Sequence, residues 1–474
     1  MNTNRTKIIA TIGPATSSKE KLEELISAGV NVCRINFSHG TLDEYAEIIG
    51  LIRNINEEQN RNVAILGDLS GPKIRIGELS EQSIELIEGE ELIITSDVIK
   101  GNSKKLSVNY EGFAGDVQQG EKVLLDDGKL SLEVKKVHSS SEVLCEVIIG
   151  GILTSKKGVN LPNSKLSLPS MTEKDKTDLK FALKHNLEWV ALSFVRSARD
   201  IIDLKYMITE LQGKARIIAK IEKPEAAKYI EDIVVEADGI MVARGDLGVE
   251  IPMEEVPLLQ KKLVKTSMRH AKPVIIATQM MESMIEHYTP TRAEVNDVAN
   301  AVMDGADAVM LSGETSVGKY PIRVVENMSR IIHEVEKSDA IYNHEFPPLE
   351  DEERFISDSV CYSAGRLAQR VGALGIVTMT HSGYTAFKIT SFRPKAKVFV
   401  FSSNREILNM LSMVWGVQAF YYDKFVSTDH TIADIKFILK KSGHAKSKDL
   451  IINVASMPIK DKGQTNMLKL SYVE

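Results

Sequence analysis

The chain has few cysteines, and their spacing argues against the structures that cysteines usually build. Only Cys33, Cys145 and Cys361 occur, far apart and without the spacing of metal ligands. Cys33 lies inside an apolar run, which is typical of a buried core thiol. We therefore expect no structural disulfide, and we expect the protein to work in a reducing compartment.

Long apolar runs and long basic runs are also missing. No apolar stretch approaches the ~20 residues that a membrane-spanning helix needs, and the first residues lead into residues 7–10 without a signal-peptide core. The net charge is −6 and no lysine or arginine block occurs, which argues against nucleic acid as the main partner. We expect a cytoplasmic protein that binds neither membranes nor nucleic acids.

The chain does contain a regular alternation of apolar strand-like runs and amphipathic helical segments. Hydrophobic residues make up 43% and charged residues 26%, as in ordinary globular proteins, and 474 residues suffice for several domains. The predicted strands cover residues 6–13, 32–37, 63–68, 189–194, 216–222, 239–243, 273–278 and 308–312. Eight buried-type strands alternating with helices predict an α/β fold, the (β/α)8 TIM barrel.

Two regions depart from this alternation. Between residues 77 and 169, short β-type runs and turn signals such as the Asp-Asp-Gly at 126–128 predict a small inserted β-barrel-like domain. An acidic, proline-containing linker at 345–352 precedes five further strand-like runs. We predict a barrel formed by residues 1–76 and 170–345, an inserted β domain at 77–169 and a C-terminal α/β domain at 346–474.

Polar side chains gather where the predicted strands end, which is typical of a barrel active site at the C-terminal face. Lys220 and Glu222 are two apart, so they point to the same side of their strand. The next strand leads to Asp246, and parallel neighbours lie about 4.8 Å apart, so the two carboxylates converge. This group suits a hard divalent cation and an anionic substrate. A surface salt bridge at the strand ends is the alternative interpretation.

Eight motifs, in order along the chain, carry a resemblance to a known family. They are RINFSHG at 34–40, GPKIR at 71–75, KKGVNLP at 156–162, AKIE at 219–222, MVARGDLGVE at 241–250, ATQMMESM at 277–284, PTRAEV at 290–295 and LSGET at 311–315. Together they resemble pyruvate kinase over the barrel, the inserted domain and, more loosely, the C-terminal domain. The resemblance implies a glycolytic enzyme that transfers the phosphoryl group of phosphoenolpyruvate to ADP, giving pyruvate and ATP.

The resemblance also implies roles for the strand-end residues in binding phosphoenolpyruvate. Glu222 and Asp246 match the ligands of Mg²⁺ or Mn²⁺, with substrate oxygens completing the shell. Lys220 matches the lysine that stabilises the transferring phosphoryl group, and Arg34 matches the arginine that holds the phosphate. Thr278 matches the hydroxyl near the carbon that is protonated. The alternatives are a lysine merely paired with Glu222 and a strand-end threonine bonded to backbone.

Further positions match the family's substrate and nucleotide contacts. Gly245 and Asp246 would bring backbone N–H groups near the substrate carboxylate. Asn36, Arg75 and Lys157 match residues that contact the nucleotide. Lys157 comes from the inserted domain, so we expect this domain to close over the substrates as a lid.

One stretch departs from the many family members that need K⁺. The positions that match the K⁺ site are Asn36, Ser38, Asp68 and the backbone of Leu69. Those members carry Thr, Lys and Glu where this chain has Leu69, Ser70 and Lys73. The pattern resembles the K⁺-independent branch, and the ammonium of Lys73 would supply positive charge near Asp68. We expect K⁺ to be dispensable.

The C-terminal domain contains a loop that resembles the family's sugar-phosphate effector site. Its residues Thr380, Ser382, Gly383 and Thr385 precede or open a helical segment, where hydroxyls and N–H groups bind phosphate. An ordinary helix cap is the alternative. Residues 456–465 lack the tryptophan and Arg-Pro-Gly features of classes activated by fructose bisphosphate, which leaves a sugar monophosphate or no activator. The resemblance further implies an allosteric homotetramer.

Two other classes of function compete with the phosphotransferase. A barrel lyase or aldolase acting on pyruvate enolate also uses a divalent metal, arginine and carboxylates, but it has no need of a lid lysine such as Lys157 to hold ADP. A non-catalytic regulatory paralogue should have lost at least one site residue. Arg34, Lys220, Glu222 and Thr278 are all intact.

Overall fold

The computed structural model describes residues 4–350, 353–424, 427–457 and 464–474. The chain begins with the first part of a βα barrel. Its elements are β1 (Lys7–Thr11), α1 (Lys19–Ala28), β2 (Val32–Asn36), α2 (Leu42–Glu58) and β3 (Ala64–Asp68). Ser18 caps α1 by accepting the Lys21 N–H, and Gly29 ends it with φ 128°. A capping box of Thr41 and Glu44 starts α2.

The inserted region is all β apart from one short helix. Its elements are β4 (Ser83–Leu86), β5 (Glu91–Thr95), β6 (Lys105–Ser107), α3 (Phe113–Asp116), β7 (Lys122–Leu125), β8 (Leu130–Val137), β9 (Glu142–Ile149), β10 (Gly151–Thr154) and β11 (Val159–Asn160). They form a six-stranded sheet, β11-β7-β8-β9-β5-β6, and a β10-β4 pair. The sequence did not predict β6, β10 and β11, because so few residues show no clear period.

The second part of the barrel follows the inserted region. Its elements are α4 (Glu173–Lys184), β12 (Trp189–Leu192), α5 (Ala198–Glu210), β13 (Arg216–Ile221), α6 (Pro224–Lys228), α7 (Ile230–Glu236), β14 (Gly239–Ala243), α8 (Arg244–Glu250), α9 (Val256–Arg269), β15 (Val274–Ala277), α10 (Arg292–Asp304), β16 (Ala308–Leu311), α11 (Gly313–Ser316) and α12 (Pro321–Val335). Eight parallel strands close in the order β1-β16-β15-β14-β13-β12-β3-β2. This confirms the predicted (β/α)8 barrel.

Alternate residues of the barrel strands face two different cores. Ile65 packs with the surrounding helices, whereas Ala64 and Leu66 belong to the cluster inside the barrel. Asp68 continues the inward series, two residues beyond Leu66, at the C-terminal end of β3. The same alternation on β13 leads from the inward Ile218 to Lys220. Charged side chains therefore occupy the mouth of a barrel whose lower layers are apolar.

The C-terminal region is a separate α/β sheet. Its elements are α13 (Phe355–Val371), β17 (Gly375–Met379), α14 (Tyr384–Ser391), β18 (Lys397–Ser402), α15 (Arg405–Met410), β19 (Val417–Tyr421), α16 (Thr428–Lys441), β20 (Leu450–Ala455) and β21 (Met467–Tyr472). The strand order is β19-β18-β17-β20-β21, with β21 antiparallel to β20. All five strand-like runs predicted for this region are strands, and the predicted C-terminal α/β domain is confirmed.

The C-terminal sheet closes the lower end of the barrel. Trp189, inside the barrel, donates its indole N–H to the Met410 carbonyl at 3.1 Å. Arg393 forms a buried ion pair of 2.7 Å with Asp307, the residue before β16. The inward barrel residues and the C-terminal domain thus share one continuous apolar cluster.

The predicted domain limits remain a prediction, although the packing bears on one of them. Ile74 and Ile76 pack into the apolar cluster of the inserted region, so the chain enters that region slightly before residue 77. The end of the predicted linker, residues 351–352, lies outside the described residues. Within the described ranges, no helix combines the length and hydrophobicity needed to span a bilayer.

Candidate active site

Three charged side chains from three strands meet at the mouth of the barrel. The Arg34 guanidinium, from β2, lies 2.6 Å from the Asp68 carboxylate, from β3, and its Nε donates a second bond of 2.8 Å. The Lys220 ammonium, from β13, lies 3.3 Å from the other Asp68 oxygen. Asp68 is buried, and a buried carboxylate is stable only when its charge is compensated. These two cations provide that compensation.

Lys220 is also held from its other side. Its ammonium lies 2.9 Å from Glu222 and donates a hydrogen bond of 2.7 Å to the Ser193 hydroxyl. Ser193 in turn donates to the Leu69 carbonyl at 2.7 Å. Glu222 accepts the Phe194 N–H at 2.8 Å, and Phe194 adopts φ 54°, a backbone conformation that is uncommon outside glycine. The loop after β12 therefore fixes both Lys220, on β13, and Glu222, which directly follows this strand.

Burial and neighbouring charges shift the pKa values of this group. Burial alone would lower the pKa of Lys220, but Asp68 and Glu222 outweigh it and raise that pKa above its ordinary value. Burial would raise the pKa of Asp68, but Lys220 and Arg34 hold it below its ordinary value. At neutral pH Lys220 is therefore a cation and Asp68 an anion.

Glu222 behaves differently from Asp68. Burial raises its pKa and outweighs the attraction of Lys220, and the charge of Asp246 raises it further. Two carboxylates that repel each other at a barrel mouth match the donor set of a hard divalent cation. Among the described residues no group of three or more candidate ligands occurs, so oxygens of the substrate would have to complete the shell. The two residues thus fit the divalent ion of the sequence prediction.

The position of Lys73 differs from the expectation. We expected its ammonium beside Asp68, but it lies 3.5 Å from Asp246, on the metal-ligand side of the site. The reason is that Asp68 already holds Arg34 and Lys220. Of the oxygens matched to the K⁺ site, the Leu69 carbonyl accepts the Ser193 hydroxyl at 2.7 Å.

Asn36 and Ser38, the other positions matched to the K⁺ site, make hydrogen bonds in the loops after β2 and β3. The Asn36 side-chain oxygen accepts the Ser38 N–H at 3.1 Å. The Ser38 hydroxyl donates to the Ser70 hydroxyl at 3.1 Å. The loops after β2 and β3 are therefore joined by a hydrogen bond between two hydroxyl groups.

Thr278 lies at the end of β15 in a strained conformation. Its φ is 65°, and Gln279 after it has φ 54°. The Thr278 hydroxyl donates to the Ala277 carbonyl at 2.6 Å and accepts the Gly245 N–H at 2.7 Å. The Gly245 N–H is therefore occupied, although we expected it near the substrate carboxylate.

Arg244, the first residue of α8, holds this strained segment in place. It donates to the Thr278 carbonyl at 2.8 Å and forms two hydrogen bonds, of 2.6 and 2.7 Å, with Asp297. A bidentate pair of this kind has a fixed geometry, so it fixes the backbone of Thr278.

Two of the candidate nucleotide residues, Arg75 and Lys157, contact residues of the inserted region. Arg75 donates to the Lys156 carbonyl at 3.1 Å. The Lys157 ammonium lies 2.8 Å from Asp126, within the inserted region itself. A partly exposed pair of this kind exchanges easily with another anion, because surface ion pairs contribute little.

The candidate effector loop borders a cavity of about 650 Å³ in the C-terminal region. Two of its N–H groups are already capped, because Thr380 accepts the Gly383 N–H at 2.9 Å and Ser382 accepts the Tyr384 N–H at 3.4 Å. Thr385 bonds to the Thr465 hydroxyl at 3.0 Å. The helix-cap alternative thus keeps its support. The predicted loop at 456–465 falls partly outside the described residues.

The sequence did not identify Ser193, Arg244 or Asp297 as site residues. Ser193 lies within the predicted strand 189–194, so the rule that strand ends carry the site would have included it. Arg244 lies within a recognised motif, but its partner Asp297 is on α10, far along the chain. Only the closed barrel brings these two residues together.

These features are typical of barrel enzymes that handle an anionic substrate together with a divalent cation. The family model described as pyruvate kinase, barrel domain, matches residues 3–325, and that described as pyruvate kinase, alpha/beta domain, matches residues 358–471. The pyruvate kinase of Geobacillus stearothermophilus is 41% identical over 99% of this chain and 80% of its own length. That of Mycobacterium tuberculosis is 41% identical over 99% of both chains.

A solved structure shows the same likeness. The crystal structure of a pyruvate kinase from Cryptosporidium parvum matches with a TM-score of 0.94 and 36% identity, covering 99% of this chain and 96% of that one. The chain therefore belongs to the pyruvate kinase family. Its reaction is phosphoryl transfer from phosphoenolpyruvate to ADP in glycolysis, and the family normally uses Mg²⁺. This confirms the phosphotransferase prediction over the lyase and the non-catalytic paralogue.

We predict that Ser193→Ala lowers kcat about tenfold, because it removes one hydrogen bond to a charged group, worth roughly 1.5 kcal/mol. Loss of this bond lets the Lys220 ammonium move toward the carboxylates. Steady-state kinetics at saturating phosphoenolpyruvate and ADP measure the effect. Ser140→Ala, at an exposed serine of the inserted region, is the control. Equal kcat values for the two variants would contradict the role of Ser193.

Proposed function

We propose that the charged group at the barrel mouth carries out the phosphoryl transfer. The observation that supports this most directly is the position of the Lys220 ammonium, held between Asp68, Glu222 and Ser193. Phosphoryl transfer depends on positioning and on neutralising charge, and a cation fixed in advance does both. Arg34, fixed by Asp68, would hold the phosphate of phosphoenolpyruvate beside it.

Glu222 and Asp246 are the residues that would hold Mg²⁺ or Mn²⁺. When bound, the ion supplies charge neutralisation for the carboxylate and phosphate oxygens of the substrate. The chain itself keeps the Glu222 carboxylate apart from bulk water and leaves Asp246 partly exposed. It sets Lys220 beside Glu222 and Lys73 beside Asp246. The positive side chains therefore flank the substrate phosphate on two sides.

Thr278 would orient the group that protonates the enolate. Its hydroxyl proton is engaged by the Ala277 carbonyl, so the threonine has no proton free to give. It accepts one N–H, from Gly245, and its remaining lone pair can accept a water molecule. We therefore propose that Thr278 positions a water at the methylene carbon and is not itself the acid.

Asn36, Arg75 and Lys157 would contact ADP. Lys157 is paired with Asp126 in the present structure, so it has to exchange that carboxylate for nucleotide phosphate. Phosphate carries more charge than a carboxylate, which favours the exchange. With the inserted region held over the barrel, Lys157 would reach the nucleotide phosphates once it releases Asp126.

The metal assignment predicts that Glu222→Gln weakens Mn²⁺ binding by more than the ~10–100-fold typical of outer-shell residues. Because the pKa of Glu222 is raised, protons also compete with Mn²⁺ at a higher pH than at an exposed glutamate. Affinity in the parent protein should therefore fall as the pH is lowered toward that raised pKa. Electron paramagnetic resonance of free Mn²⁺ measures both effects, and Glu225→Gln is the control. Unchanged affinity in Glu222→Gln would refute the assignment.

We further propose that K⁺ is dispensable, because the Lys73 ammonium supplies a fixed positive charge at the phosphate side of the site. The Lys73 ammonium lies beside Asp246, which supports a positive charge that acts near the metal ligands and not near Asp68. We predict that replacing K⁺ by tetramethylammonium changes kcat less than twofold. The corresponding change in activation free energy is well below the ~1.4 kcal/mol of a tenfold change in rate. Lys73→Glu should create K⁺ dependence, with Lys129→Glu as the control. A large loss of rate in the parent protein without K⁺ would contradict the proposal.

For the C-terminal cavity we propose a sugar-monophosphate effector, bound at Thr380, Ser382, Gly383 and Thr385. Arg354 and Lys424 also line the cavity and provide positive charge. Arg216, the first residue of β13, donates to the Ser382 carbonyl at 2.9 Å, so the loop contacts the strand that carries Lys220. We propose a cytoplasmic homotetramer as the working form, on the analogy of the family.

The effector proposal predicts that glucose 6-phosphate lowers the phosphoenolpyruvate concentration needed for half-saturation. Ser382→Ala should weaken this response at least fivefold, because it removes a hydroxyl facing the cavity. Ser427→Ala, which removes the cap of α16 in the same region, is the matched control. If neither variant alters the response, or if no response exists, the helix-cap interpretation is correct.

A further inference from the structure

Glu250, the last residue of α8, is a buried carboxylate that none of the steps above uses. Its side chain is 1% exposed. One oxygen accepts two hydrogen bonds, of 2.6 Å from the Lys223 ammonium and 2.7 Å from the Asn160 side-chain amide. The other oxygen accepts no hydrogen bond from the part of the chain that the structure describes.

The three residues come from segments that carry the reaction's charged groups. Asn160 ends β11 in the inserted region, three residues after Lys157. Lys223 directly follows Glu222, and Glu250 lies one helical turn after Asp246 on α8. A single carboxylate oxygen therefore joins the inserted region to both segments that hold the candidate metal ligands.

A second contact joins the same two parts of the molecule. Gly128, in the turn between β7 and β8, lies close to α8, since a Cβ atom at this position would be 3.6 Å from the side chain of Val249. Val249 immediately precedes Glu250. The inserted region thus approaches the end of α8 at two places, the turn at Gly128 and the end of β11, and only the second of these contacts is polar.

The chemistry of the polar contact makes it reversible. Lys223 neutralises Glu250 within the barrel rim, so the carboxylate keeps its charge partner whether or not the inserted region is present. Asn160 adds a neutral donor, and its departure leaves a position that water can fill. A lysine at position 160 would add a second cation to Glu250, and the inserted region would release the carboxylate too slowly. An apolar residue there would leave the carboxylate without its second donor.

We propose that Asn160 and Glu250 are positioning residues that hold the inserted region closed over the active site, with Lys223 as the fixed counter-ion. The contact seats the closed lid against the segments that carry Glu222 and Asp246, and the pair of Lys223 with Glu250 keeps those segments in place with or without the lid. This proposal rests on the proposed role of Lys157 in ADP binding, because closure is what brings Lys157 to the nucleotide.

Kinetics of Asn160→Ala test the proposal, with Asn163→Ala as the control at an exposed asparagine three residues away. We expect the KM for ADP to rise about tenfold in Asn160→Ala, while kcat changes less than threefold. Mn²⁺ affinity measured without ADP should stay unchanged, because Glu222 and Asp246 are intact. An ADP KM equal to that of the control would overturn the proposal.

A charge exchange separates positioning from a merely structural role. Asn160→Asp sets two carboxylates against each other, and we expect the KM for ADP to rise more than in Asn160→Ala. Adding Glu250→Gln to that variant restores one carboxylate and one amide beside Lys223. The double variant should recover most of the loss in ADP KM. A double variant worse than either single change would contradict the direct contact.

Distance measurements follow closure itself. The three native cysteines are buried, so spin labels can be directed to Val98→Cys on the inserted region and Glu210→Cys on α5, both at exposed positions. With Mg²⁺, phosphoenolpyruvate and ADP, Asn160→Ala should show a longer and broader distance distribution than the parent. An identical distribution would overturn the proposal. If instead Lys157→Ala leaves the ADP KM unchanged, the nucleotide assignment fails while these distances still report on the contact.

Discussion

One buried carboxylate, Asp68, fixes the two cations on which the chemistry depends. Arg34 and Lys220 come from strands on opposite sides of β3 in the barrel order, and they would repel each other without the anion between them. Because Asp68 is buried, losing either cation would raise the free energy of the folded state, since a buried charge without a partner is unfavourable. The site is therefore organised before substrate arrives, which is the condition under which fixed charges stabilise a transition state most effectively.

The charges around the mouth of the barrel balance. Arg34, Lys73 and Lys220 are cations, and Asp68, Glu222 and Asp246 are anions. A divalent ion and an anionic substrate that enter together alter this balance little. This explains how a rim with so many charged groups remains stable without ligands, although its carboxylates are placed to bind a metal.

The barrel and most of the site could be predicted from the sequence, because both follow from local patterns. Buried runs of four to six residues indicated the strands, and the rule that parallel strands end on one face brought Lys220, Glu222 and Asp246 together. The role of Arg34 came from the resemblance to the pyruvate kinase family. The partner of Lys73 could not be predicted, since that residue lies where the chain crosses into the inserted region and follows no period.

The contacts that sequence reasoning missed share a physical origin. Ser193 and Arg244 act through hydrogen bonds whose partners are set by backbone conformations after the strands, such as the positive φ of Phe194 and Thr278. The hydrogen bond between Asn160 and Glu250 depends on how two regions are docked. Periodicity describes which face a residue occupies, but neither loop conformation nor docking follows from it.

The floor of the barrel has a consequence for how this architecture can change over evolutionary time. The indole of Trp189 and the ion pair of Arg393 with Asp307 tie the innermost layer of the barrel to the C-terminal sheet. A barrel that lost this sheet would present a ring of aliphatic side chains and an unpaired acid to water. During evolution, the C-terminal domain can therefore be exchanged only for a domain that covers the same apolar residues and pairs with Asp307. This holds whichever small molecule the new domain binds.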